Sequence, residues 1–141
     1  MKGKQMIKSM HDNGLSVVMD VVYNHTSPDS TLVHRHPEYF YRRPDGKRGN
    51  KVGDWTDVVD LDYANHALWD YQIESLCFWA RYVDGFRCDV APLVPLEFWK
   101  RGQTALEEQE RRPVPAHFLV RQDMRRAGAV MVFEEAELDV V

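Results

Sequence analysis

LSVVMDVVYNH, residues 15–25, is the stretch on which the reading of this sequence turns. From Leu15 to Tyr23 it is rich in valine and does not alternate with polar residues. A continuous apolar run of this length predicts a parallel strand buried on both faces. Asp20 interrupts the run, and a charge there requires a partner, because burying it alone is too costly. Asn24 and His25 follow at the C-terminal end, where α/β enzymes place their sites. An asparagine and a histidine at that end can touch a ligand or metal, or merely cap a turn. Upstream, Met6, Ile7 and Met10 share one helical face, and Gly14 stands where a helix C-terminal glycine belongs.

Downstream the texture changes. From residue 26 to about 65, prolines 28, 37 and 44, Pro44-Asp45-Gly46 and glycines 49 and 53 mark turns. Tyr39, Phe40, Tyr41 and Trp55 lie among many charges, so the segment reads as a structured excursion, not a linker. A helix follows, with Asn65 as N-cap and Trp69, Ile73, Leu76, Cys77 and Ala80 as its apolar stripe. Val83–Val90 predicts a short strand. A second helix begins near Pro95, with Phe98, Trp99, Gly102, Ala105 and Leu106 on its inner face, and ends by Pro113 and Pro115. His117–Val120 and Ala129–Phe133 are further strand candidates, with a short helix over 123–127 between them. Alternating strands and helices predict an α/β fold with a parallel sheet or barrel.

Composition narrows the class. Of 141 residues, 44% are hydrophobic and 28% charged, as in a globular protein. Lys plus Arg is 18 and Asp plus Glu is 22, a net charge of −4 that argues against a nucleic-acid partner. No apolar run reaches the roughly 20 residues that span a bilayer, so no membrane association is expected. The N-terminus lacks the continuous apolar block of a secretory signal. Cys77 and Cys88 read as reduced and buried, which points to the cytoplasm.

The second constellation is GFRCD, residues 85–89. Arg87 and Asp89 are two apart and project from the same face of a strand. A neighbouring guanidinium keeps a carboxylate ionised, as a nucleophilic carboxylate requires. The same pair also serves as a purely structural tie between strand and loop.

Taken in order, DVVYNH (20–25), VDLD (59–62) and GFRCD (85–89) resemble the α-amylase family of glycoside hydrolases, family 13. GDWTDVVDLDY before the helix that Asn65 caps, and DGFRCDVAPLVPLEFW after it, carry the likeness along their length. The resemblance implies a partial (β/α)8 barrel holding about strands three to six. Residues 1–25 and 65–141 would form the barrel part, and residues 26–64 a small domain inserted after the third strand. It implies a retaining enzyme acting on an α-glucan or maltooligosaccharide. Asp89 would be the nucleophile and Arg87 the residue that orients it. His25 would bind sugar at the cleaved bond. Asp20 would be a buried carboxylate beneath the site and a partner of Arg87. Asn24 and Asp60 would hold a structural calcium, to which their oxygens are suited. Of the aromatics, Tyr23 would stack on a sugar ring, while Trp55 reads more readily as core packing.

The sequence also departs from that family. Its general acid is a glutamate at the end of the fifth strand. The strand matched there is His117–Val120, and the next residue, Arg121, cannot donate a proton at working pH. Glu134, Glu135 and Glu137 read as a solvated acidic turn. The family's last motif, an aspartate that stabilises the transition state, has no counterpart. These departures predict a partial domain that does not hydrolyse glycosides in isolation. The alternatives are a non-catalytic α-glucan-binding or interaction relic, and an unrelated metal-dependent hydrolase using Asp20, Asn24, His25 and Asp89. The sequence does not fix the oligomeric state.

Overall fold

The computed structural model describes residues 2–53, 55–111 and 130–133. Helix α1 (Lys2–Asp12) precedes strand β1 (Val18–Val22). The excursion carries β2 (His25–Thr26), the five-residue helix α2 (Thr31–Arg35), a 3-10 turn at Pro37–Tyr39 and β3 (Val59–Asp60). Then come α3 (His66–Trp79), β4 (Gly85–Asp89), a 3-10 turn at Ala91–Leu93, α4 (Leu96–Arg111) and β5 (Val130–Phe133).

Local chemistry explains the boundaries. α1 closes where Gly14 adopts φ +75°, and Leu15 N–H donates back to the Met10 carbonyl at 3.0 Å. Asn65 caps α3, its side-chain oxygen accepting from Ala67 N–H at 3.1 Å. Ser30 does the same for α2 through Val33 N–H.

β1, β4 and β5 form one parallel sheet in that order. Strands are therefore neighbours in chain order, the arrangement of a singly wound barrel segment and not of a doubly wound sheet. Phe86 and Cys88, on one face of β4, are fully buried, with α3 and α4 packing on each other. The alternate positions Val18, Asp20 and Val22 on β1 lie on the other face and are open to water. These strands are part of a barrel-like arrangement, not a closed eight-stranded barrel.

Three expectations change here. β1 is not buried on both faces: among the described residues it pairs only with β4, and Val18 is 56% exposed. The parallel neighbour of β4 is Val130–Phe133, so this run, and not His117–Val120, is the strand that follows β4 in the sheet. Residues 117–121 and 123–127 lie outside the described residues. On α1 only Ile7 is buried, while Met6 faces solvent.

The core is largely aromatic. Phe98 is fully buried and meets Tyr23, Tyr63, Trp69 and Trp99 at centroid distances of 5.1–6.1 Å, all near-perpendicular. That edge-to-face geometry suits ring quadrupoles. The polar tips find carbonyls: Tyr63 O–H donates to Tyr23 at 2.6 Å, Trp69 Nε1–H to Tyr63 at 2.9 Å and Trp99 Nε1–H to Ala91 at 3.0 Å.

Phe98→Ala is expected to cost about 3–5 kcal/mol, since it empties the centre of this cluster. Leu96→Ala, two residues away and 64% exposed, is expected to stay within about 0.5 kcal/mol. Urea unfolding of both variants beside the parent chain checks the contrast.

Candidate active site

β1 and β4 run in parallel register, with Asp20 opposite Arg87 and Val22 opposite Asp89. Residues 20, 87 and 89 therefore share the open face of the sheet. Arg87 uses both ends of its guanidinium. Nη1 lies 2.8 Å from Asp20 Oδ2, and Nη2 lies 2.9 Å from Asp89 Oδ1. One cation thus sits between two carboxylates on adjacent strands. Asp20 meets Arg87 as expected, but it is not buried: its side chain is 58% exposed, β1 having one strand neighbour among the described residues.

Immediately after Asp89 the backbone bends hard. Val90 has φ 44° and ψ 38°, left-handed values that a β-branched residue rarely adopts. Such a conformation costs about 1–3 kcal/mol and persists only where the surroundings fix it. Here Leu93 N–H donates to the Val90 carbonyl at 3.0 Å, and the 3-10 turn begins. The turn ends β4 at Asp89 and leaves that carboxylate at the strand's C-terminal edge.

His25 lies three residues beyond the end of β1. It pairs with Asp60 in the short antiparallel ladder of β2 and β3. Its ring meets the Trp55 ring edge-on at 5.2 Å, and Asn24 Nδ2 lies 3.3 Å from its Nδ1. Trp55 was expected in the core. It is instead only half-buried and packs on His25, so it is a neighbour of the candidate site.

Tyr23 is corrected in the opposite direction. It is 9% exposed, its ring stacked on Trp99 and edge-on to Phe98. Neither face is free for a sugar, so Tyr23 is a core residue.

Asn24 and Asp60 are both buried. Asp60 Oδ2 accepts from Lys51 N–H at 2.6 Å, whereas Oδ1 is buried without any hydrogen-bond partner. An orphaned, buried carboxylate oxygen is a donor that a hard cation would satisfy. Among the described residues no group of three or more His, Cys, Asp or Glu side chains converges. A cation here would need carbonyl, amide or water oxygens to complete its shell. The residues present fit calcium in chemistry, with Asp60 as the charged donor.

No protein-family profile matches the chain. Individual proteins do. Over 103 residues, 68% of this chain, it is 33% identical to an α-1,4-glucan:maltose-1-phosphate maltosyltransferase of Salinibacter ruber, covering 15% of that protein. The crystal structure of an α-amylase from Lactobacillus plantarum superposes with a TM-score of 0.71 at 44% identity, over 93% of this chain and 27% of that one. This stretch of the chain is related to the α-amylase family of glycoside hydrolases. A noncanonic maltogenic α-amylase from Thermotoga neapolitana agrees, with a TM-score of 0.68 and 43% identity over 79% of this chain. The chain thus spans a small part of each α-amylase-family protein it matches. Among the described residues no helix is long and apolar enough to cross a membrane.

One contact escaped the sequence reading: Trp55 meets His25, thirty positions away and joined to it only through the excursion's fold.

Cys88 lies beneath the site on the buried face of β4. Burial pushes its thiol up to about 12; the Asp20 charge adds to the rise and Arg87 opposes it. Burial likewise pushes the Tyr23 phenol up to about 12, with a hydrogen bond to Ser75 opposing. Unfolded, these groups ionise near their ordinary values of 9.0 and 10.0. The unfolded chain therefore releases these protons first, and the stability the two groups contribute, fully present below their unfolded values, is lost as pH rises towards 12. Urea midpoints measured across this range are expected to show that decline. Ellman's reagent at pH 8 is expected to reach half-buried Cys77 in the native chain and Cys88 only after unfolding.

Proposed function

We propose that this chain forms part of the catalytic domain of a retaining enzyme acting on the α-glucosidic bonds of α-glucans or maltooligosaccharides. The observation that carries the proposal is the Asp20–Arg87–Asp89 bridge at the C-terminal ends of adjacent parallel strands, in a stretch related to the α-amylase family. Asp89 is the nucleophile, and Arg87 holds it. Glu134 is the proton donor, in place of Arg121. Its support is its place in the sequence, directly after Phe133, the partner of Cys88 on the neighbouring strand.

The chemistry then runs in two steps. An Asp89 oxygen attacks the anomeric carbon while the bond from that carbon to the leaving oxygen breaks, and Glu134 gives its proton to that oxygen. The covalent glucosyl ester is next attacked by water or a sugar hydroxyl. Glu134 takes the attacker's proton, and Asp89 leaves as the carboxylate. Water gives hydrolysis and a sugar hydroxyl gives transfer, and the relatives include proteins named for each. His25 contacts the sugar at the cleaved bond, and Trp55 beside it offers an apolar ring. A bound calcium on Asn24 and Asp60 would tie the excursion to the end of β1.

The isolated chain is expected to bind maltooligosaccharides without cleaving them. Its Asp89 face is open to water, and its sequence has no match to the second transition-state aspartate. Calorimetry with maltoheptaose should detect binding that His25→Ala weakens about tenfold and Asp89→Asn leaves in place. Absence of binding by the folded chain would remove the proposal, while turnover abolished by Asp89→Asn would overturn the expected inactivity. Calcium is expected to raise the thermal midpoint of the parent chain and not of Asp60→Asn.

A further inference from the structure

The excursion contains a cavity of about 380 Å³ that shares no lining residue with the Asp20–Arg87–Asp89 bridge. Its size falls within the range of about 300–1,000 Å³ typical of small-molecule sites. The polar side chains on its wall are Arg43, Arg48, Asn50 and Thr56, and no carboxylate lines it among the described residues. Val33, Val58 and Val59 supply an apolar wall.

The charge here runs against the rest of the protein. RRPDGKRGNK, residues 42–51, holds five cations and one carboxylate in a chain whose net charge is −4. A tight hairpin gathers them. Arg43 N–H donates to the Lys47 carbonyl at 2.9 Å, Gly46 takes φ +79° at the turn, and Arg42 bridges to Arg48 across it.

Both arginines are arranged as if for a ligand. Arg48 Nε is buried and has no hydrogen-bond partner. A buried guanidinium nitrogen left without an acceptor is costly, and its cost is relieved by an oxyanion. Arg43 lies across Gly49, where an added Cβ would stand 2.9 Å from its Nε. Arg43 Nε also faces Asp45 Oδ1 at 3.9 Å, a half-exposed ion pair that a phosphate would have to compete with. Two forked guanidinium groups with a hydroxyl and an amide match the tetrahedral oxygens of a phosphate.

We propose that the cavity between the 42–51 hairpin and β3 is a seat for a phosphate group, carried by a sugar-sized phosphate ester or by inorganic phosphate. The phosphate meets Arg43 and Arg48, and the valine wall faces the remainder of the ligand. The seat is tied to the candidate active site through β3, where Val59 pairs with Thr26 beside His25, and through Thr56, which adjoins Trp55. It does not depend on the role proposed for Asp89.

Calorimetry and amide chemical-shift mapping on the full chain test this with glucose 1-phosphate, inorganic phosphate and glucose as separate ligands. The phosphate-bearing ligands should bind and glucose alone should not. Shifts should centre on Gly49, Asn50, Gly53 and Thr56. Arg48→Gln and Arg43→Gln should each weaken binding about tenfold. Should Arg48→Gln fail to fold, half-exposed Arg43→Gln decides the matter alone. Tighter binding of the ester assigns the remaining volume to a sugar, equal binding assigns the seat to free phosphate, and either upholds the proposal. No binding at about 10 mM, equal affinity in folded variants, or shifts centred on Asp89 instead would overturn it.

Discussion

One guanidinium organises the open face of this sheet. Arg87 reaches sideways to Asp20 on β1 and forward to Asp89 on its own strand. The contact is possible only because the two strands are parallel and in the register that sets residue 20 opposite residue 87. Slipping by one residue would move every side chain on β1 to the other face. On the opposite face Phe86 and Cys88 are fully buried beside their register partners Met19 and Val21, so a slip would expose that apolar face. Apolar burial thus fixes which residues meet, and electrostatics then operates among them. The ion pairs are partly exposed and add little stability themselves. Their effect is to orient.

The excursion is tied to the sheet at its root. β2 and β3 form a short ladder directly after β1, Leu61 N–H donates to the Asn24 carbonyl at 2.9 Å, and Tyr63 O–H donates to the Tyr23 carbonyl. Asn24, His25 and Asp60 are brought together by this closure, although Asp60 is thirty-five residues from His25 in sequence. The aromatic cluster continues the joint inwards, so Tyr63 at the end of the excursion and Phe98 on α4 share one core.

The features legible in the sequence were those set by local rules. Gly14, Asn65 and the GFRCD strand read correctly because a positive φ, a side-chain cap and a short apolar run each leave a local mark. The Arg87–Asp20 partnership was also readable, because an isolated charge in a strand demands a counter-charge. The features missed depend on partners distant in sequence. Tyr23 proved buried and Trp55 packed on His25, contrary to the reading of each, since an aromatic residue carries no local sign of whether its ring meets Phe98 or an imidazole. Asp20 read as buried because a strand's sequence does not reveal whether it has one neighbour or two. HFLV and VMVF are equally good strands by composition, and only pairing with β4 distinguishes them.

The root of the excursion has a mechanical consequence. Backbone bonds and one tyrosine hydroxyl clamp the segment where it leaves and rejoins the sheet, and the 42–51 hairpin is fastened to the same clamp: Asp60 N–H donates to the Gly49 carbonyl at 2.9 Å and Asp60 Oδ2 accepts from Lys51 N–H at 2.6 Å. A sequence change in the hairpin is therefore passed through Asp60 to its ladder partner His25. A fold built this way couples the shape of its outer loop to the geometry of the strand ends.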